Sequence, residues 1–374
     1  MKKNYILCLL FIFALEISGC SSGPNQPAVP TPTERPDAYL YFPTVVPANS
    51  ARMPVTWASL NLTGKLVYNM GAVDKDNNFI IQIQVLDLVT GDITVVYTAP
   101  LNAWIYYVSV SPDNKQVVMS FSPPPQENLD IVQALYVMPL DSSSPPQLLF
   151  TPPTREDQYI QAEWSPDGKY IYYTHVNNQI PDDPNRHSPL YEIFRMEFPG
   201  GQPESIAKGA YWPRLSPDFS RLVYIAADPL SAEQQLTIAD PDGGNAQEVA
   251  LSGVYIPDDK AAPIFSPNGQ SVIFSGVVAG ESYQPRWFEK LLGIGVAKAG
   301  EDYSDWWSVP AGGGEITRLT KLETGSLYAG ISPDNQYIGS FSKDQIFVMK
   351  PDGSELTILI PGLSGFFGTV NWIP

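Results

Sequence analysis

The chain has 374 residues, 44% hydrophobic and 12% aromatic, with 37 prolines, 28 glycines and two cysteines. That is the composition of a globular protein, and its length allows a sizeable core. The net charge of −17 argues against nucleic acid as a partner and against an electrostatic contact with an anionic membrane surface, since both reward Lys and Arg.

In chain order, the first element is an export signal. Lys2 and Lys3 precede an apolar run over residues 5–15, and Ile17-Ser18-Gly19-Cys20 follows with small side chains; the run is too short to stay in a bilayer as a spanning helix. The stretch resembles a bacterial lipobox. That resemblance implies that residues 1–19 are a lipoprotein signal peptide, cleaved before Cys20, whose sulfur is then lipidated with palmitate among its acyl chains. Each buried methylene contributes about 0.8 kcal/mol, so two or more chains give stable anchoring. Cys8 leaves with the signal, which makes an intramolecular disulfide impossible and leaves the exported part to its hydrophobic core. Removing residues 1–19, with Lys2, Lys3 and Glu16, takes the net charge to −18. The expected location is the cell envelope: Ser21 after the cysteine resembles an outer-membrane sorting signal in a two-membrane bacterium, and in a one-membrane organism the protein would face outward at the cell surface.

Residues 20–50 carry seven prolines between Pro24 and Pro47. Such a segment favours extended polyproline-like conformers of about 3.1 Å per residue, so it reads as a stalk.

From residue 51 to residue 374 the chain is repetitive. Ser111-Pro112-Asp113-Asn114, Ser165-Pro166-Asp167-Gly168, Ser216-Pro217-Asp218-Phe219, Ser266-Pro267-Asn268-Gly269 and Ser332-Pro333-Asp334-Asn335 are five copies of one turn, and Asn61-Leu62-Thr63-Gly64 is a worn sixth, at successive spacings of 50, 54, 51, 50 and 66. Pro presets φ near −65° at the second position and Asp, Asn or Gly tolerates the geometry after it, so each copy joins two strands. Alternating runs follow at 116–121, 170–174, 221–225 and 271–274, and second runs at 134–139, 190–198 and 235–239. A Gly- or Asp-containing turn and a short third run (316–320, 356–360) complete a four-stranded unit. Units of this size that cannot bury their faces alone must stack, which predicts an all-β, six-bladed β-propeller of four-stranded antiparallel blades. The strand from about Phe367, with Trp372 in the position before the turn, is expected to close the ring against the N-terminal blade; residues 53–60, with Trp57, compete for that place.

These motifs resemble the TolB-like propeller repeat, best at Trp164-Ser165-Pro166-Asp167-Gly168 and at residues 312–320, over roughly residues 53–374. The resemblance implies fold, not activity, because one propeller architecture hosts many functions. It covers the propeller of TolB and not its N-terminal α/β domain, for which residues 21–50 leave no room.

The Ser-Pro-Asp turns gather at one end of the strands. The length variation falls at the other, in loops expected at 122–133, 175–189 and 276–305 within blades and at 151–158 and 252–260 between them, which makes that irregular face the expected binding surface. Residues 281–299 have helical spacing after Pro285 and predict a short amphipathic helix carrying Trp287. Trp104, Tyr159, Trp212, Trp306 and Tyr328, with Trp287 and the acidic pair Asp258 and Asp259, are the candidate contacts for a protein or glycan. His175 and His187, read as lying in one loop with Asp182 and Asp183, are the only candidate metal ligands, and their spacing matches no known ligand pattern. No cofactor is expected. No Gly-x-Ser-x-Gly elbow, sialidase Asp-box or phosphate-binding glycine loop occurs, so the chain is read as a non-enzyme. The expected function is a lipid-anchored binding or scaffolding module; the alternatives are a lyase or glycan hydrolase working at the channel mouth, and a purely structural envelope lipoprotein.

Overall fold

The computed structural model describes residues 50–124, 133–150, 152–154, 156–178, 189–228, 230, 233–257, 262–278, 304–322, 328–342, 345–361 and 368–374. The repeated turns set the register of everything else. At Ser111, Ser165, Ser216, Ser266 and Ser332 the hydroxyl donates to the Asp or Asn side-chain oxygen two residues on, at 2.6–2.8 Å. The same hydroxyl accepts the N–H of the residue five positions on, at 2.9–3.0 Å. The Asp or Asn oxygen also accepts a backbone N–H two residues further along, at 3.0–3.1 Å. The fourth residue of each turn has φ between 57° and 72°, a left-handed conformation that suits Gly and Asn and is unusual for Phe219. Ser and Asp are therefore required by the turn's own hydrogen bonds.

Each turn joins the inner two strands of a blade. In the first blade β1 (Ser50–Arg52) lies on the outer edge of β4 (Asp92–Thr98), followed inward by β3 (Phe79–Asp87) and β2 (Lys65–Val73). The second blade comprises β5 (Trp104–Val110), β6 (Gln116–Ser122), β7 (Ala134–Pro139) and β8 (Gln147–Phe150), and the third β9 (Asp157–Trp164), β10 (Tyr170–Asn177), β11 (Leu190–Glu197) and β12 (Glu204–Lys208). The fourth is β13 (Ala210–Leu215), β14 (Leu222–Ala227), β15 (Gln234–Ala239) and β16 (Gln247–Glu248). In the fifth, β17 (Val254–Tyr255) and β18 (Ile264–Phe265) both pair with β19 (Ser271–Val278), which is followed by β20 (Asp305–Pro310) and β21 (Thr317–Arg318). The sixth is β22 (Tyr328–Ile331), β23 (Ile338–Ser342), β24 (Gln345–Met349) and β25 (Thr357–Pro361). The last strand, β26 (Val370–Ile373), pairs with β2 as the inner strand of the first blade. The protein is thus a six-bladed antiparallel propeller.

Ring closure falls to the C-terminal strand. Residues 58–60 form a 3-10 turn, and Trp57 is buried with its indole N–H on Leu88 O at 2.8 Å. The Trp372 indole N–H bonds Thr63 O at 2.9 Å, and Thr369 bonds Asn69 and Val108. Strands sandwiched between blades are apolar on both faces. Val117, Met119 and Phe121 of β6 pack toward the first blade and Val118 toward the third, so β6 is buried on both faces, with Ser120 and Ser122 buried among its apolar residues.

Several strands outrun their sequence-based limits. His175, expected in a loop, lies in β10 opposite Tyr159 and Glu192, because both neighbouring strands continue past Thr174. Residues 276–278 extend β19, and Asp305 begins β20. The expected helix over 281–299 lies outside the described residues.

Candidate functional site

Counting back from each turn serine places one side chain per blade on the axis. The residues four positions before it are Tyr107, Gln161, Trp212, Ala262 and Tyr328, and the register of β26 against β2 adds Thr369. Large and small residues alternate around the ring. The three aromatic ones come from alternate blades and meet: ring centroids stand 4.9 Å apart for Tyr107 and Trp212, 5.2 Å for Trp212 and Tyr328, and 6.1 Å for Tyr107 and Tyr328. Tyr107, Gln161 and Trp212 each have φ near +50° at a bulge of the inner strand, which swings these side chains toward the axis. All three rings are buried, so the axis is closed at this level. Gln161 accepts the backbone N–H of Trp212 at 2.9 Å and the hydroxyl of Thr174 at 2.8 Å, which joins the third blade to the fourth.

Two residues closer to the Ser-Pro-Asp end the lining is polar. Arg214 Nη1 lies 3.5 Å from Glu163 Oε2, and its Nη2 donates to Ala329 O across the ring at 3.2 Å. The Ser109 hydroxyl donates to Glu163 at 3.3 Å. Burial raises the Glu163 carboxyl above the ordinary glutamate range, and the opposing pull of Arg214 and of the Ser109 hydrogen bond does not cancel it. About a fifth of each side chain (21% for Glu163, 23% for Arg214) stays accessible.

On the irregular face, Phe79 packs on Trp104 at 5.9 Å, Trp104 stacks on Tyr106 at 6.2 Å, and Tyr106 meets Tyr107 at 6.3 Å. Phe79 is 41% exposed and its strand partner Val73 65%, while Trp104 and Tyr106 are half-buried. An aromatic path therefore runs from the rim of the first two blades to the closed axis. At the fourth and fifth blades a groove of about 600 Å³ is bounded by residues 233–235 and 250–257, with Tyr255 43% exposed.

Of the residues picked out by sequence, Trp104 stands at this surface. Tyr159, Trp212, Trp306 and Tyr328 are interior instead: Tyr159 packs among Phe150, Tyr173 and His175, and Trp306 donates to Ser340 Oγ at 2.9 Å between the last two blades. His175 Nε2 bonds Asp157 Oδ1 at 2.6 Å, and the other carboxylate oxygen accepts the Thr154 N–H and hydroxyl. Among the described residues no group of three or more His, Cys, Asp or Glu is placed to hold a metal. Cys20, Asp182, Asp183, His187, Asp258, Asp259 and Trp287 lie outside the described residues. Sequence reading missed Phe79, Glu163 and Arg214; the constant offset from the turn serine was the signal for the last two.

The chain is similar to the putative TolB from Agrobacterium tumefaciens (TM-score 0.51, 17% identity, 84% of this chain and 99% of that one). It is also similar to oligogalacturonate lyase in complex with manganese (TM-score 0.50, 12% identity, 85% and 86%). No family model matches the sequence, and no curated protein matches it. At these identities the similarities establish the β-propeller fold that TolB and the lyase share with this chain, and nothing finer.

Proposed function

We propose that this protein is an exported, lipid-anchored binding or scaffolding module of the cell envelope, which engages a protein or glycan partner through its irregular face. The observation that carries the reading is the aromatic path Phe79, Trp104 and Tyr106: rings half open to solvent, backed by the rigid closed axis, offer flat apolar area at little conformational cost. The similarity to a TolB propeller supports a binding role, and the sequence resemblance at Cys20 supports the anchor. The acidic surface is compatible with basic partners.

The test compares envelope material that co-purifies with the full-length protein and with Trp104→Ala. A partner carried by this surface should lose about tenfold or more in affinity, the usual scale for an aromatic anchor, while the melting temperature stays near the parent's. An unchanged set of partners at unchanged affinity would remove the irregular-face assignment.

A further inference from the structure

The Ser-Pro-Asp face carries a second, independent candidate site. Between the second and third blades a recess of about 430 Å³ is walled by the turns at Pro112 and Gly168 and floored by Trp164 and Gln116. Phe198 stands edge-on to Trp164 at 4.7 Å. Trp164 is 5% exposed, and neither its indole N–H nor Gln116 Oε1 has a hydrogen-bond partner. Buried polar atoms are rarely left this way.

The propeller itself shows what this space accommodates. Two blades on, at the interface of the fourth and fifth blades, Arg221 occupies the position of Gln116: each stands five residues after its turn serine and gives its N–H to that serine at 2.9 Å. Phe265 stands where Trp164 stands, immediately before the turn, and Gly269 stands where Gly168 stands, with φ of 69° and 72°. There the Arg221 guanidinium lies 5.0 Å above the Phe265 ring and donates to Gly269 O. At the intervening interface Tyr170 takes the same position and, like Leu215 and Phe219, packs against the apolar cluster between those blades. Only a shorter Gln116 faces the Trp164 floor, and the space is open.

We propose that this recess receives a guanidinium from outside: the arginine side chain of a basic peptide segment of a partner protein, placed over Trp164 as Arg221 lies over Phe265. Indole is the best of the aromatic faces for a cation. The Gly168 carbonyl side of the turn offers an acceptor, and the Trp164 N–H suits a peptide carbonyl of the same segment. Asp113 and Asp167 flank the opening and their charges favour a cation. Lys115 and Lys169 approach these carboxylates at 3.7 and 3.5 Å but are 78% and 70% exposed, so they are weakly held and can give way. The chain's net charge of −17 draws basic segments from a distance. This site lies opposite the irregular face and stands whether or not that face binds.

The experiment uses full-length protein labelled with 15N-tryptophan, titrated with acetyl-Gly-Arg-Gly-amide and with its citrulline counterpart, which has the same shape without the charge. The Trp164 indole resonance, assigned by its loss in Trp164→Phe, should shift and saturate with the arginine peptide, and citrulline should bind about tenfold or more weakly. Gln116→Arg fills the recess from within and should abolish the response at an unchanged melting temperature. Gln116→Ala leaves the recess open and should keep binding within a few-fold of the parent, which decides the matter if the arginine variant folds poorly. No shift at Trp164, an equal response to citrulline, or full binding by a folded Gln116→Arg variant would overturn the proposal.

Discussion

Asp167 shows how the same residue type serves the fold at every turn. Partial burial opposes its ionisation, but the Ser165 hydroxyl, the Lys169 N–H and the Lys169 charge outweigh burial and hold the carboxyl below the ordinary aspartate range. Asp167→Ala should therefore lower stability by about 0.5–2 kcal/mol, the range for losing a side-chain cap of backbone N–H groups; an unchanged melting temperature with lost ligand binding would make it a contact residue instead. Asp218 goes further, down to about 2, with the Ser216 hydroxyl as the largest cause, so its contribution is present above pH 3.8 and disappears as the pH falls toward 2. Glu163 has the opposite sign. Its folded value is raised above 4.5 by burial, so the stability it contributes is full below that pH and declines as the pH rises through the folded value. In melting curves between about pH 4 and about pH 8, Glu163→Gln should gain on the parent as the pH rises; a difference that stays constant would show that the lumen does not perturb this acid. The turns were legible from sequence because their hydrogen bonds join residues two and five apart. The Glu163–Arg214 pair was not, since it links two blades and depends on the closed ring to bring them within 3.5 Å.

At the scale of the strand, sequence located centres better than ends. The run at 134–139 coincides with β7, whereas β10 runs on to Asn177 and β19 to Val278, because their partners supply backbone hydrogen bonds to His175 and Gly276, residues that by themselves suggest a loop. Tyr107, Trp212 and Tyr328 stand at one offset from their turns, yet their packing as a buried triangle depends on bulges at Tyr107 and Trp212 and on the closed ring, which no local pattern reveals. Close approach of β22 to β26 is equally a property of the assembled ring. A Cβ on Gly330 would stand 2.7 Å from Val370 O, a backbone atom that cannot move without disturbing the closing strand. Gly330→Ala should cost about 1–3 kcal/mol, the scale of overpacking in a tight interior, and lower the melting temperature. Gly312→Ala, at a position with nothing within 4 Å, should change it little. If both variants melt alike, the inner strands of the first and last blades are not held together as closely as described.

For the whole molecule, both ends of the propeller meet at the first blade: β1 pairs the outer edge of β4, Met53 bonds Gly91 O at 3.0 Å, and β26 fills the inner edge. A ring joined in this way has no free terminal blade, so a load applied upstream of Ser50 enters through an outer edge strand and need not disturb the axis. That is a suitable architecture for a tethered module whose faces stay available. The tether itself is the part of the proposed function that rests on sequence alone, through Ile17-Ser18-Gly19-Cys20 and the proline-rich residues that follow. If the Cys20 sulfur carries the anchor, Cys20→Ser should leave the chain unprocessed or release it from the membrane fraction. The propeller should keep its melting temperature, because the described strands of the ring begin at Ser50. A soluble, folded Cys20→Ser protein that still binds the arginine peptide would separate anchoring from recognition. A serine variant that matures normally and stays with the membrane as the parent does would show that attachment has another cause, with an envelope partner held by the irregular face as the next explanation to test.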